Sequence, residues 1–344
     1  MSETLDPELR DIVTVVPRDG LSAMAGIHVN PDLTIVARSG AGYADFRYFV
    51  SGWPAQPHTR VISTLVYLEH LRGMLIKGDL SLRNDEQIVF QLEDNPVDVD
   101  SVSWEARKGW QNVRLIPDLY YFMARGYEDF TPALEPWEDR RRSLVWRGSS
   151  TGLFWQTLNM LDDLPRYRMC KFAARLGAGA DVALTDLVQA ANPQEAELIR
   201  ERVSREGLLK PFIPMIEMAR HRFILDIDGN SNSWNFMQKL RLGCCVLRVE
   251  SQWHQWFADR LIAWKHYVPV AADLSDLVER AEWCFAHPME CSAIARRGAS
   301  FAFDMKFADE MSHAALVAFA APGVIDDHSD KRTDRAEAIV QGEE

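Results

Sequence analysis

This sequence predicts a two-domain α/β protein. Three observations carry that expectation. Strand-like and helix-like segments alternate along the chain, and residues 220–250 read as a complete strand–loop–helix–strand unit. The length, 344 residues, exceeds one ordinary domain and suits two of moderate size. Apolar residues make up 47% of the chain, enough to build real cores.

The elements follow in order. Residues 1–60 mix short apolar runs with turn residues, as in Leu33–Ala37 before Arg38-Ser39-Gly40-Ala41-Gly42. Residues 61–77 are apolar at helical spacing. Gln87–Leu92 is a short apolar strand that ends at Glu93-Asp94-Asn95-Pro96, and Val113–Pro117 is a second. The segment 131–143, rich in proline and charge, sets the domain boundary, giving an N-terminal domain of residues 1–138 and a C-terminal domain of residues 139–322. A polar tail, 323–344, has few large apolar side chains and is expected to be flexible. Past the boundary come a strand ending at Val145-Trp146-Arg147-Gly148-Ser149 and a helical stretch at 188–207.

The strand–loop–helix–strand unit is the most informative piece. Phe223–Asp228 is a compact apolar strand running into Gly229-Asn230-Ser231-Asn232-Ser233, small residues that suit turns and caps. Trp234–Leu242 reads as a helix stopped by Gly243, and Cys244–Val249 as the next buried strand. In such units ligands sit at the carboxyl end of the first strand, where free N–H groups of the following helix favour an anion, a diphosphate above all. A purely structural βα turn is the competing reading. Asp226 and Asp228 also resemble a metal-holding DxD pair, but two carboxylates alone define no coordination geometry, and Asp228 is read as structural, fixing the turn, or as hydroxyl-binding.

Further on, Trp253–Trp264 reads as an aromatic core helix and His266–Val270 as a short strand. Asp273–Leu277 opens a helix with Asp276 and Glu279 as a capping-box pair, and His266 is read as a satisfied buried histidine.

Composition excludes several classes. With 38 basic against 50 acidic residues, the net charge of −12 argues against a nucleic-acid-binding surface. No apolar run reaches the roughly eighteen residues of a membrane span, so at most peripheral membrane contact is expected. The acidic start, MSETLDPELRD, lacks the features of a secretory signal and predicts a cytoplasmic setting. The five cysteines, at 170, 244, 245, 284 and 291, include no CxxC pair, so zinc and a disulfide framework both fit less well than reduced, buried thiols.

Taken together, VWRGSSTG at 145–152, HRFILDIDGNSNSW at 221–234, the GCCVL strand at 243–247, HYVPV at 266–270 with DLSDL at 273–277, and IARRGASFA at 294–302 resemble glycosyltransferase family 90. That family includes protein O-glucosyltransferases, fungal capsule-associated proteins and bacterial lipopolysaccharide-type sugar transferases. The resemblance spans about residues 85–303. It implies a GT-B fold, two Rossmann-like domains facing across a cleft, and an inverting, metal-independent transfer from a UDP-sugar of the glucose or xylose class, with no cofactor. It places Arg147, Gly148, Ser149, Asp228, Gly229, Asn230, Ser231, Asn232, Ser233 and Asn235 at the donor. Asn235 stands where the animal enzymes have a diphosphate-binding arginine, so Arg166 or Arg147 would have to supply that charge.

The same likeness puts Asp94 at the position of the catalytic base that deprotonates the acceptor hydroxyl, with Pro96 after it and Asn95 in place of an aromatic residue. Asp98 and Asp100 are rivals, and Glu-Asp-Asn-Pro is also good turn chemistry. The implied acceptor is a glycan or glycolipid, such as a lipopolysaccharide or capsule precursor, met in the cytoplasm or at the inner face of the membrane. The alternative is a catalytically weak or inactive nucleotide-sugar-binding protein on the same fold.

Overall fold

The computed structural model describes residues 11–25, 34–40, 42–51, 59–77, 87–91, 94–130 and 133–319. The expectations for Leu33, Leu92, Glu93 and the tail 323–344 lie outside them. The chain divides into two compact units, Met1–Gly126 with Lys306–Glu344, and Tyr127–Met305. Both are α/β.

The first unit holds β1 (Val13–Val16), α1 (Arg18–Ala25), β2 (Thr34–Gly40), β3 (Gly42–Ser51), α2 (Thr59–Lys77), β4 (Ile88–Gln91), β5 (Ser101–Ser103), β6 (Val113–Leu115) and α3 (Leu119–Met123). Its sheet has the order β1-β3-β2-β4-β5-β6. It is mixed: β2 runs antiparallel to both β3 and β4, and the remaining pairs are parallel. The apolar helix expected at 61–77 is α2, which buries Leu65, Tyr67, Leu68, Leu71 and Leu75 at helical spacing. Helix Phe307–Phe319 belongs to this unit, although the sequence placed it with the C-terminal domain. Its Phe307 ring meets His70, Tyr121 and Phe122, an apolar surface that local sequence does not announce.

The five-stranded sheet of the second unit is wholly parallel. Its elements are β7 (Arg141–Ser149), α4 (Pro165–Ala174), β8 (Ala180–Asp186), α5 (Pro193–Arg205), β9 (His221–Asp226), α6 (Phe236–Arg241), β10 (Cys245–Val249), β11 (Val268–Val270), α7 (Leu277–Ala286) and α8 (Pro288–Asp304). The spatial order is β11-β10-β9-β7-β8. Strands covered on both faces read as near-continuous apolar runs. Thus Phe223, Ile224 and Leu225 of β9 and Cys245, Val246 and Leu247 of β10 are all inaccessible to solvent. Gly243 ends α6 at φ +62°, the left-handed position that a residue with a side chain would strain. Asn192 caps α5 by accepting from Glu195 N at 3.0 Å, so this helix begins at Pro193 rather than near 188.

Two expectations fail here. Residues 253–264 form no helix: Trp253–His254 is extended, Ala258–Arg260 is a single 3-10 turn, and Trp264 has φ +64°. Burial alternates with period two at Trp253, Gln255 and Phe257, so the aromatic spacing reflects extended chain. Asp276 does precede α7, but makes no capping box. Its carboxylate instead accepts from Ala271 N at 2.8 Å and from Arg280 Nε at 2.9 Å. His266 behaves as expected: Nδ1 accepts from Ile262 N, the ring stacks on Phe301, and burial pushes its pKa down to about 4.

Candidate active site

The strand order of the second unit locates its crevice. From β7 the chain crosses to β8 on one side, then returns past β7 to β9 and steps outward through β10 and β11. The topological switch therefore lies between β7 and β9, and ligands of open parallel sheets bind outside the carboxyl ends of such a strand pair. The loops leaving those two ends, 149–152 and 227–233, are the two segments singled out in the sequence.

They touch closely. Asn230 Oδ1 accepts from Gly152 N at 3.1 Å, with Gly152 at φ +127°. A Cβ on Gly229 would lie 2.8 Å from Thr151 Oγ1 and 3.0 Å from Arg166 Nη2, so only glycine lets the loops meet without displacement. A Cβ on Gly148 would fall 2.5 Å from the Trp146 ring. That ring lies under the Arg166 guanidinium, 5.5 Å from its centroid.

Arg166 binds both loops together. Nε donates to Asp228 O at 2.8 Å, Nη1 to Ser149 O at 3.1 Å and Nη2 to Ile227 O at 3.5 Å. Burial pulls its pKa down to about 10, against the opposing pull of Asp226 and Asp228, so it stays charged at neutral pH. Arg147, the other candidate cation, is spent elsewhere. Nη2 donates to both carboxylate oxygens of Asp181 at 2.8 and 2.9 Å, Nη1 to the Asp181 and Trp146 carbonyls, and Nε to Pro211 O. With every guanidinium N–H engaged, Arg147 is a structural fastener between β7 and β8, and the loop charge falls to Arg166.

Within the loop, Ser233 and Asn235 play different parts from the rest. Ser233 Oγ donates to Asp226 Oδ1 at 2.6 Å, and Lys239 Nζ reaches the same oxygen at 2.7 Å. Arg248 Nε lies 3.7 Å from the other oxygen. Asp226 and Lys239 are both buried, so the pair anchors the loop and α6 to β9. Asn235 precedes α6 without a side-chain cap and lies 3.2 Å from Ser233 Oγ. Asn232 is buried. Ser231 Oγ is also buried and has no hydrogen-bond partner among the described residues.

Asp228 does not fix the turn through its side chain, which accepts from Ser251, a residue that no sequence pattern had marked. Burial raises its pKa to about 6, with the Ser251 bond opposing. A carboxyl that holds its proton more tightly when folded contributes stability below pH 4 that is lost as pH rises through about 6. Asp228→Asn should therefore gain stability relative to the wild type between pH 4 and 7, by up to about 3 kcal/mol. Urea melts at the two pH values check this, and an unchanged difference contradicts it.

In the first unit, Asp94 sits half-buried in the bend after β4. Gln91 pins that bend: its side chain accepts from Val97 N and donates to Val97 O, both at 2.8 Å, and donates to Ser101 Oγ at 2.7 Å. Asn95 takes φ +65°, which asparagine tolerates and a bulky aromatic residue resists, and its N–H donates to the buried Glu105 at 3.2 Å. Of the rivals, Asp98 accepts from Asn112 N and Asp100 pairs with Arg114.

Comparisons with known proteins agree with these blocks. The family model of glycosyl transferase family 90 matches residues 97–313, beginning three residues after Asp94. Uncharacterized protein 035R of Invertebrate iridescent virus 3 is 30% identical over 209 residues, 56% of this chain and 17% of that protein. Protein O-glucosyltransferase 2 of Danio rerio is 25% identical over 158 residues, 46% of this chain and 29% of that protein. The chain thus spans less than a third of the length of these curated relatives. Anabaena HepE, solved in complex with UDP-glucose, aligns with 51% of this chain and 48% of its own at 10% identity and a TM-score of 0.37, a likeness too distant to bear on the argument. By the extent of the family match, the chain belongs to glycosyl transferase family 90.

Proposed function

We propose that this protein is an inverting, metal-independent glycosyltransferase that moves a sugar of the glucose or xylose class from a UDP-sugar to a hydroxyl of a glycan or glycolipid. One observation carries the reading: at the switch point between β7 and β9, two glycine-dependent loops converge on a buried, charged Arg166, and one of them carries the Ser231 hydroxyl, buried and without a hydrogen-bond partner among the described residues. A diphosphate is the ligand such a site suits, since the cation offsets its charge and the hydroxyl gains a partner. Arg166 and Ser231 lie in the unit 127–305, and Asp94, the base that the resemblance points to, lies in the other unit. Family membership supports this reading, as does the likeness to relatives named protein O-glucosyltransferases.

In this mechanism Arg166 and Ser231 hold the diphosphate, which leaves as the glycosidic bond breaks. Asp94 takes the proton of the acceptor hydroxyl as its oxygen attacks the anomeric carbon from the opposite face. A cytoplasmic acceptor at the inner face of the membrane, of the lipopolysaccharide or capsule class, belongs to the same proposal; among the described residues no helix is long and apolar enough to cross a membrane.

The test is UDP release from UDP-glucose and UDP-xylose with a panel of glycan and glycolipid acceptors, in EDTA and again with Mn²⁺. Acceptor-dependent release that EDTA leaves intact is expected; release that appears only with Mn²⁺ would sink the metal-independent mechanism. Donor binding without release under any condition would instead favour the non-catalytic alternative. Ser231→Ala gives a sharper check on the loop. Removing a buried hydroxyl that has no partner should leave the melting temperature unchanged or raise it, while weakening UDP-sugar binding by roughly tenfold. Unaltered binding would remove Ser231 from the site.

A further inference from the structure

The second unit brings together three cysteines that the sequence scatters. Cys245 lies on β10, Cys284 on α7 and Cys291 on α8, and their sulfur atoms all lie within 4.8 Å of one another. Each is inaccessible to solvent and reduced. Among the described residues no histidine or carboxylate joins the group, so it offers three soft ligands and no fourth. Neighbouring Cys244 points the other way, as strand alternation requires, and its thiol bonds to His221 O. Cys170 stands apart on α4.

The three thiols are also hydrogen-bonded to one another: bonds with Cys245 and Cys284 pull the Cys291 thiol below its usual range, and bonds with Cys284 and Cys291 push the Cys245 thiol up.

We propose that Cys245, Cys284 and Cys291 form a three-coordinate binding site for a trivalent thiophilic ion, of which arsenite is the simplest. Three considerations select this class. Sulfurs bound to one ion at about 2.3 Å stand roughly 3.5–4 Å apart, so closure needs a movement of no more than about 1 Å. Soft thiolates select soft ions. Charge decides between them: three thiolates on a divalent ion leave a net negative charge in an apolar core, whereas three on a trivalent ion leave none. The binding step balances without any redox partner. As(OH)₃ exchanges its three As–O bonds for three As–S bonds, each thiol proton leaves with a hydroxide, and three waters are released. Binding ties α7 and α8 to β10.

The test is a titration of the reduced full chain with sodium arsenite. Intact mass should show one arsenic gained and three hydrogens lost per chain. At saturating arsenite the melting temperature should rise by about 5–10 °C. Cys170→Ala and Cys244→Ala should keep both effects, and Cys284→Ala and Cys291→Ala should lose them. Should those last variants fold poorly, alkylation of the wild type during brief unfolding reads the same answer: arsenite should protect 245, 284 and 291 and leave 170 and 244 labelled. No adduct, a two-thiol adduct that keeps a hydroxyl, protection of a different set, or tighter capture of Cd²⁺ than of arsenite at pH 7 would each overturn the proposal.

Discussion

Asp94→Asn should slow UDP release from a UDP-sugar in the presence of acceptor by about 10²–10⁴-fold, the usual contribution of a general base. Donor binding should be unchanged, because the residues proposed to hold the diphosphate belong to a different unit of the chain. The substitution preserves the shape of the side chain, and the bend itself is held by Gln91, through its paired bonds to Val97, and by Asn95, through its bond to Glu105. Loss of rate with intact donor binding is therefore the expected pattern. Asp98→Asn and Asp100→Asn should leave the rate within a few-fold. A wild-type rate in Asp94→Asn, with a collapse in either neighbour, would move the base assignment to that neighbour.

Lys239→Met should have the largest effect on stability, about 3–5 kcal/mol, because it strands the Asp226 carboxylate in a site with 2% exposure. Arg248 at 3.7 Å is too distant to replace the 2.7 Å bond from Lys239. Since Ser233 shares the Asp226 oxygen, donor binding should weaken alongside stability. The double variant Asp226→Leu/Lys239→Met removes both charges and should recover most of the stability, because an apolar pair of similar size avoids the desolvation cost. Chemical denaturation of the two variants separates a paired buried charge from a simple packing loss, for which the double variant would be worse than the single.

The donor segment was legible because its signals are local. Strand, small-residue loop, helix and Gly243 stop lie within about 25 consecutive residues, each set by short-range chemistry. The role of each side chain was less legible. Arg147 and Arg166 look alike in sequence, and only the fold shows that Asp181 and Pro211 have taken one of them. Asp228 seemed suited to fix its own turn, yet its partner is Ser251, across on the loop after β10. The segment 253–264 misled for another reason: aromatic side chains satisfy helical and extended spacing alike, and what decided was the two-residue alternation of burial. Asn95 shows the reverse case. It departs from the aromatic residue of the animal enzymes, and the left-handed backbone there supplies a physical reason for asparagine. The switch point between β7 and β9 and the cysteine cluster depend on strand order, which no local pattern encodes.

The central claim is that the crevice at the carboxyl ends of β7 and β9 holds a UDP-sugar through Arg166. Calorimetric titration of UDP-glucose into the protein in EDTA tests it most directly, with Arg147→Lys and Arg166→Lys beside the wild type. The expected result is one site per chain, a loss of affinity of tenfold or more in Arg166→Lys, and affinity within a few-fold of the wild type in folded Arg147→Lys. Undiminished binding in Arg166→Lys, with the loss appearing in Arg147→Lys instead, would contradict it.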